Sequence, residues 1–360
     1  MEIWSSGVPA PRGIQHVARD LEENGWDGLA VVDSQNLAAD PFVALAMAAT
    51  VTDRLKLGTA VANTVTRQPA VLASAAATVQ SVSRGRMVLG IGRGDSALAH
   101  LGRAPSRLRP FERYLGQLQA YLAGESIPFA DLVDLPESIA PPVAELDLAH
   151  APEASRITWI GPSVARDGKV PVEIAATGPK VIAAAARQGD RVMFALGASP
   201  ERLRWGMDLA RAARREAGLD PDTIEFGAYI ACGCHPDPET ARSLVRGGLT
   251  VFARFAVMHG KTAGPLSPEA ETVLQAIRTA YDMEKHTHGD SAQAGVLTPA
   301  FMEEYAAVGP PERVVERLLG LKALGLSKVM LNGGWRDGRN EAGPASKRLI
   351  EREVLPALNG

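Results

Sequence analysis

Pro171-Val172-Glu173-Ile174-Ala175-Ala176 is a short apolar run, and Thr177-Gly178-Pro179-Lys180 follows it at the start of a helical stretch that reaches Gln188. How this junction is read decides the fold. Glycine lets the backbone pass close to a neighbour or a ligand. Proline at the first helical position forfeits no hydrogen bond. The free N–H groups of a helix start attract anions, helped by the helix dipole, and Lys180 adds a point charge. Two readings stand here: an ordinary strand-to-helix turn, or a seat for a phosphate or an anionic ring edge.

The same step recurs in both directions. Upstream, Glu2 to Ser5 reads as a strand and Pro11 to Asn24 as a helix. Gly28 to Asp33 reads as a buried strand, and Asp40 and Pro41 cap and open a helix to about Val51. Leu55 to Val61 is a third strand, Pro69 to Val82 an Ala-rich helix, and Arg86 to Ile91 a fourth strand, with Arg84 and Arg86 as surface residues of its turn. The spacing is close to one βαβ step per ~30 residues. Arg107 to Leu122 is helical, and Ile127 to Ser155, rich in Pro, Ala and acidic residues, is a long irregular excursion. Downstream, Arg191 to Leu196, Ile224 to Ala231 and Lys328 to Asn332 are strands. Pro200 to Ala217, Thr240 to Met258, Ala270 to Tyr281, Pro311 to Leu324 and Ala345 to Val354 are helices.

Continuous apolar strands alternating with helices imply a parallel sheet covered on its outside. Eight such units in one sheet imply an α/β fold closed into a (β/α)8 TIM barrel, with insertions after strands four and seven. An open Rossmann-like sheet is the alternative. No linker-like segment divides the halves, so residues 1–360 read as one domain.

Bulk properties exclude several classes. The formal net charge of -3 and pI of about 6.2 give no reason to expect nucleic acid or an anionic membrane as partner. The two cysteines, Cys232 and Cys234, cannot build a disulfide framework, which suits a reducing cytoplasm. No signal peptide and no run approaching the ~20 apolar residues of a membrane span is visible.

In a barrel of this kind, function gathers where strands end. Those ends read Asp33-Ser34-Gln35-Asn36, Ala62-Asn63-Thr64, Gly92-Arg93-Gly94-Asp95-Ser96, Thr177-Gly178-Pro179-Lys180, Gly197-Ala198-Ser199 and Asn332-Gly333-Gly334-Trp335-Arg336. They are polar and glycine-rich, unlike the strands. Gly90, Gly92 and Gly94 do not form the dinucleotide fingerprint, and no acidic residue follows at its place. Cys232-Gly233-Cys234-His235 lacks a second ligand cluster, so no metal site is expected, and His286 and His288 read equally as pocket or surface residues. Asp33 either orients a ligand or caps its loop.

Taken in order, Asp33-Ser34, Gly58-Thr59-Ala60-Val61, Arg86 to Asp95 and Ala176 to Lys180 resemble the bacterial luciferase-like superfamily. The resemblance is greatest to its coenzyme F420-dependent, deazaflavin branch, which includes methylenetetrahydromethanopterin reductase. Gly189-Asp190 and Gly309-Pro310-Pro311-Glu312 add to it, and it weakens from about Ile127 to Val170 and from Thr262 to Thr298. The resemblance implies a cofactor at the C-terminal mouth of the barrel and a non-proline cis peptide, Ala60-Val61, in a bulge that backs the cofactor ring. It places Asp33 and Asn63 near that ring, Arg93, Gly94 and Asp95 on the ring or its side chain, and Thr177, Gly178, Pro179 and Lys180 at the phosphate end. Asp33 and Ser34 take the catalytic position, and relatives imply a homodimer.

One departure matters. Several deazaflavin dehydrogenases carry Asp-His where this chain has Asp33-Ser34, and serine without an adjacent base is a poor proton acceptor. The expectation is therefore an F420-dependent reductase of a small organic substrate. An FMN-dependent monooxygenase and a non-catalytic flavin-binding barrel are the alternatives.

Overall fold

The computed structural model describes residues 1–132, 137–258, 260–334 and 341–359. Trp335 and Arg336, quoted above after the last strand, lie outside the described residues. Eight parallel strands close into a ring: β1 (Glu2–Gly7), β2 (Gly28–Val31), β3 (Lys56–Thr59), β4 (Met87–Gly92), β5 (Val172–Ala176), β6 (Arg191–Phe194), β7 (Glu225–Cys234) and β8 (Lys328–Asn332). Each pairs with the next in chain order, and β8 returns to β1 with Trp4 opposite Met330. The fold is the (β/α)8 barrel, and the open-sheet alternative is discarded. Large excursions leave it after β4 and after β7, as expected.

Two apolar layers hold the ring. Trp4, Ala30, Val88, Met193, Tyr229 and Met330 fill its interior. The alternate residues Leu29, Leu57, Leu89, Ile174 and Val192 face outward against the helices. That two-sided burial is why the strands read as unbroken apolar runs.

At the N-terminal end of the barrel, the interior is plugged by charge rather than by carbon. Lys328 is 0% exposed, 2.7 Å from Glu173 and 3.2 Å above the Trp4 ring. Arg191 pairs with both Glu173 and Glu225. Burial, helped by Arg191, draws the Lys328 ammonium down to about 8 against the pull of Glu173.

The structure corrects three sequence expectations. Arg86 is no surface residue: it is half-buried and donates to the carbonyls of Ala49, Thr52, Leu55 and Ser83, tying the second and third helices to β4. Thr240 to Met258 is not one helix but two, Pro238–Ser243 and Arg246–Phe255. The break lets Gly247 press against the loop at Thr287, where a Cβ would stand 2.0 Å from the Thr287 carbonyl oxygen. A further strand, Ala306–Gly309, pairs with the end of β7, which runs on to Cys234 and carries both buried, free cysteines. No helix among the described residues is long and apolar enough to cross a membrane.

Candidate active site

A cavity of about 1020 Å³ opens at the C-terminal mouth of the barrel. The loops after β2, β3, β4 and β5 bring Asp33, Ser34, Ala60, Val61, Asn63, Arg93, Gly94, Asp95, Thr177, Gly178 and Pro179 to its wall. Lys180 is exposed and stands outside that wall, so the charge expected of it at the turn is not delivered there.

Each loop is held in a way that its own sequence does not reveal. The buried Asp33 is 2.5 Å from Arg67, a residue overlooked in the sequence, and its other oxygen accepts from Gln35. Arg67 also reaches Asp40, 2.7 Å away, the cap of the helix Pro41–Ala49. Burial pushes the Asp33 carboxyl up, opposed by the Arg67 guanidinium. Asn63 spends its oxygen on the backbone N–H groups of Val65 and Thr66, so it shapes its own turn. The peptide Ala60-Val61 between β3 and this turn is cis.

Past β4, Gly94 takes φ +84, and a Cβ there would collide with Leu98. Arg93 beside it uses only Nε, on the carbonyl of Ser106, which leaves its two terminal nitrogens without a partner among the described residues. Burial pulls its guanidinium down. Asp95 pairs at 2.5 Å with Arg254, carried by the excursion after β7.

The turn after β5 is open. Gly178 precedes the helix Pro179–Gln188, which has no side-chain cap, and apart from its two chain neighbours no residue comes within 4 Å of where a Cβ on Gly178 would stand. Nothing in the protein itself requires glycine here, whereas a bound group approaching the helix start would. Opposite, Tyr229, Phe252, Phe255 and His286 line the cavity, and no sequence motif marks the aromatic three.

A barrel with polar loops gathered over one deep mouth cavity defines an enzyme-like (β/α)8 protein. The profile of the family described as luciferase-like monooxygenase matches residues 3–328, and the chain belongs to that family. The 5,10-methylenetetrahydromethanopterin reductase of Methanolobus tindarius is 24% identical over 350 residues, covering 95% of this chain and 95% of its own. Among solved structures, the coenzyme F420 dependent tetrahydromethanopterin reductase of Methanopyrus kandleri matches with a TM-score of 0.70 at 21% identity, over 99% of both chains. A monooxygenase of Streptomyces bottropensis matches with a TM-score of 0.64 at 18% identity, again over 99% of both. All three are similar to this chain, and all are oxidoreductases by name.

Proposed function

We propose that this chain is an F420-dependent reductase that passes a hydride between a deazaflavin in the mouth cavity and a small organic substrate, working as a homodimer in the cytoplasm. The observation that carries the reading is the state of the two aspartates in the cavity wall. Asp33 is held by Arg67 and Gln35, and Asp95 by Arg254. Neither is free to take the proton of an alcohol, and the Ser34 hydroxyl has no basic partner among the described residues. With no free base on this polar wall, the site suits hydride delivery better than alcohol oxidation.

The cavity fits the cofactor. The open face at Gly178 and the unpartnered nitrogens of Arg93 would take its phosphate end, and the bulge at Ala60-Val61 would back its ring. When bound, the deazaflavin supplies the hydride chemistry. The protein positions and encloses: the Arg67 link between Asp33 and Asp40 fixes the loop after β2, and the Asp95–Arg254 pair ties the two excursions across the mouth. The 5,10-methylenetetrahydromethanopterin reductase relative, similar over 95% of the chain, supports the reductase reading.

A second reading, an FMN-dependent monooxygenase, draws on the family's description and on the Streptomyces bottropensis structure. Titrating the purified protein with F420 and with FMN, followed by tryptophan fluorescence, separates the two. The expected result is saturable quenching by F420 and a much weaker response to FMN. Tight FMN binding without an F420 response overturns the first reading in favour of the second.

A further inference from the structure

The mouth cavity has two unlike walls. The loops after β2, β4 and β5 present polar groups and glycine. The excursion after β7 presents carbon: the helix Arg246–Phe255 turns Val251, Phe252 and Phe255 to the cavity. Tyr229 of β7 stacks on Phe252 with ring centroids 5.5 Å apart and planes at 12°, and Phe255 meets Phe252 edge-on at 6.3 Å. Phe252 and Phe255 are only half-buried. Aromatic faces left uncovered in a concave wall are suited to burying a ligand's apolar surface.

The ion pair beside this wall is closed on itself. Asp95 pairs with Arg254, whose guanidinium lies 4.6 Å from the centre of the Tyr281 ring. The Tyr281 hydroxyl is 2.7 Å from Nδ1 of His286, and His286 itself lines the cavity. The loop that carries His286 is fixed against the aromatic helix, because Gly247 and the Thr287 carbonyl leave no room for a side chain between them. Nε2 of His286 has no hydrogen-bond partner among the described residues.

We infer that this wall is the substrate side and takes an uncharged, largely apolar compound with a carbonyl oxygen, to which His286 donates a hydrogen bond through Nε2–H. The inference rests on the cofactor reading above for its hydride source. Burial keeps the imidazole neutral by lowering its pKa; Arg254 and His100 push the same way, and Asp95 opposes them. The Arg254 guanidinium donates to the Tyr281 phenol oxygen, which leaves the phenol O–H to be given to Nδ1 and the ring's own proton to sit on Nε2. A neutral imidazole N–H held in place polarises a carbonyl; as the hydride adds to the carbonyl carbon the C=O π bond opens, and the oxygen takes its proton from water while His286 keeps its own. A sugar phosphate or a free carboxylic acid would meet aromatic carbon and a closed ion pair beside His286; Lys261, which also lines the cavity from this excursion, is exposed to water, where a charge pair is worth little.

The test uses acetophenone labelled with 13C at the carbonyl, ethylbenzene of nearly the same shape without the oxygen, and benzoate. Each is titrated into the protein with and without F420. Acetophenone is expected to bind tighter than ethylbenzene and far tighter than benzoate, with its carbonyl infrared band shifted to lower frequency. His286→Phe is expected to lose that band shift and about tenfold in acetophenone affinity while ethylbenzene binding stays unchanged. Tyr281→Phe keeps the fold but frees the tautomer, so it should weaken the band shift, and 15N spectra of the wild type should report the proton on Nε2. A band unmoved in wild type, or identical in His286→Phe, overturns the inference, as does preference for benzoate. Failure of F420 to bind overturns the cofactor reading alone, because the carbonyl band is read in its absence too.

Discussion

The two ends of the barrel both use buried or half-buried ion pairs, and to opposite effect. At the N-terminal end, Glu173, Arg191 and Lys328 come from three strands and turn on one another inside the ring, with Trp4 beneath Lys328. The Arg191 Nε is left without a hydrogen-bond partner, but it is buried inside the plug. At the C-terminal mouth, Asp33–Arg67 and Asp95–Arg254 link loops rather than strands, and the space between them stays open. The first set closes the barrel; the second frames a cavity. Ion pairs therefore do not mark a functional site by themselves. What marks it is unfilled volume beside them, with groups such as Arg93 and His286 that keep an unpartnered atom on its wall.

The distinction is open to direct attack. Its largest consequence is in stability. Glu173→Ala strands the buried Lys328, takes one of the carboxylates from Arg191 and should cost about 3–5 kcal/mol in a denaturant titration. Asp95→Ala removes a partner from a pair that water reaches and should cost about 1 kcal/mol or less. Equal losses would break the contrast between a closed end and an open one. The next effect is on binding and should leave stability alone. Gly178→Val puts a side chain into open space, so F420 affinity should fall by about a hundredfold with the unfolding midpoint unmoved. Unchanged affinity would remove that turn from the cofactor site.

The smallest effect concerns pH and belongs to the closed end. Lys328 in the folded chain loses its proton near 8, below the ordinary lysine value of 10.5. Between these values the unfolded chain binds more protons than the folded one, so stability rises with pH there. Above about 9 the buried thiols and phenols, whose pKa values are raised, reverse the slope. A thermal melt should therefore show a modest gain from pH 8 to 9, and Lys328→Met should flatten it. A gain that persists in Lys328→Met would assign the slope to another group.

Much of the fold was legible because a strand buried on both faces announces itself as an apolar run, whatever surrounds it. All eight barrel strands were placed that way. The strand Ala306–Gly309 was not foreseen, since its pairing exists only because β7 runs past its neighbours to Cys234. Arg86 was misread because its partners lie on the carbonyls of a turn more than thirty residues upstream. The helix expected across Gly247 broke because that glycine packs on backbone from a distant loop.

By itself, the sequence determined the repeating strand–helix order, and with it the barrel and the set of loops that meet at one end. It also placed the glycines and the Asp33, Arg93 and Asp95 side chains at strand ends, because each follows directly from the local run of residues. Only the tertiary structure decided which of these charges are free. Asp33 finds Arg67 across 34 positions and Asp95 finds Arg254 across 159, and no local pattern encodes a partner at such a distance. The aromatic wall was likewise hidden, since a helical stretch does not tell which of its faces will turn Phe252 and Phe255 to a cavity. The chemistry a site can do depends on which atoms remain unpaired once the chain has closed, and that is a property of the packed molecule.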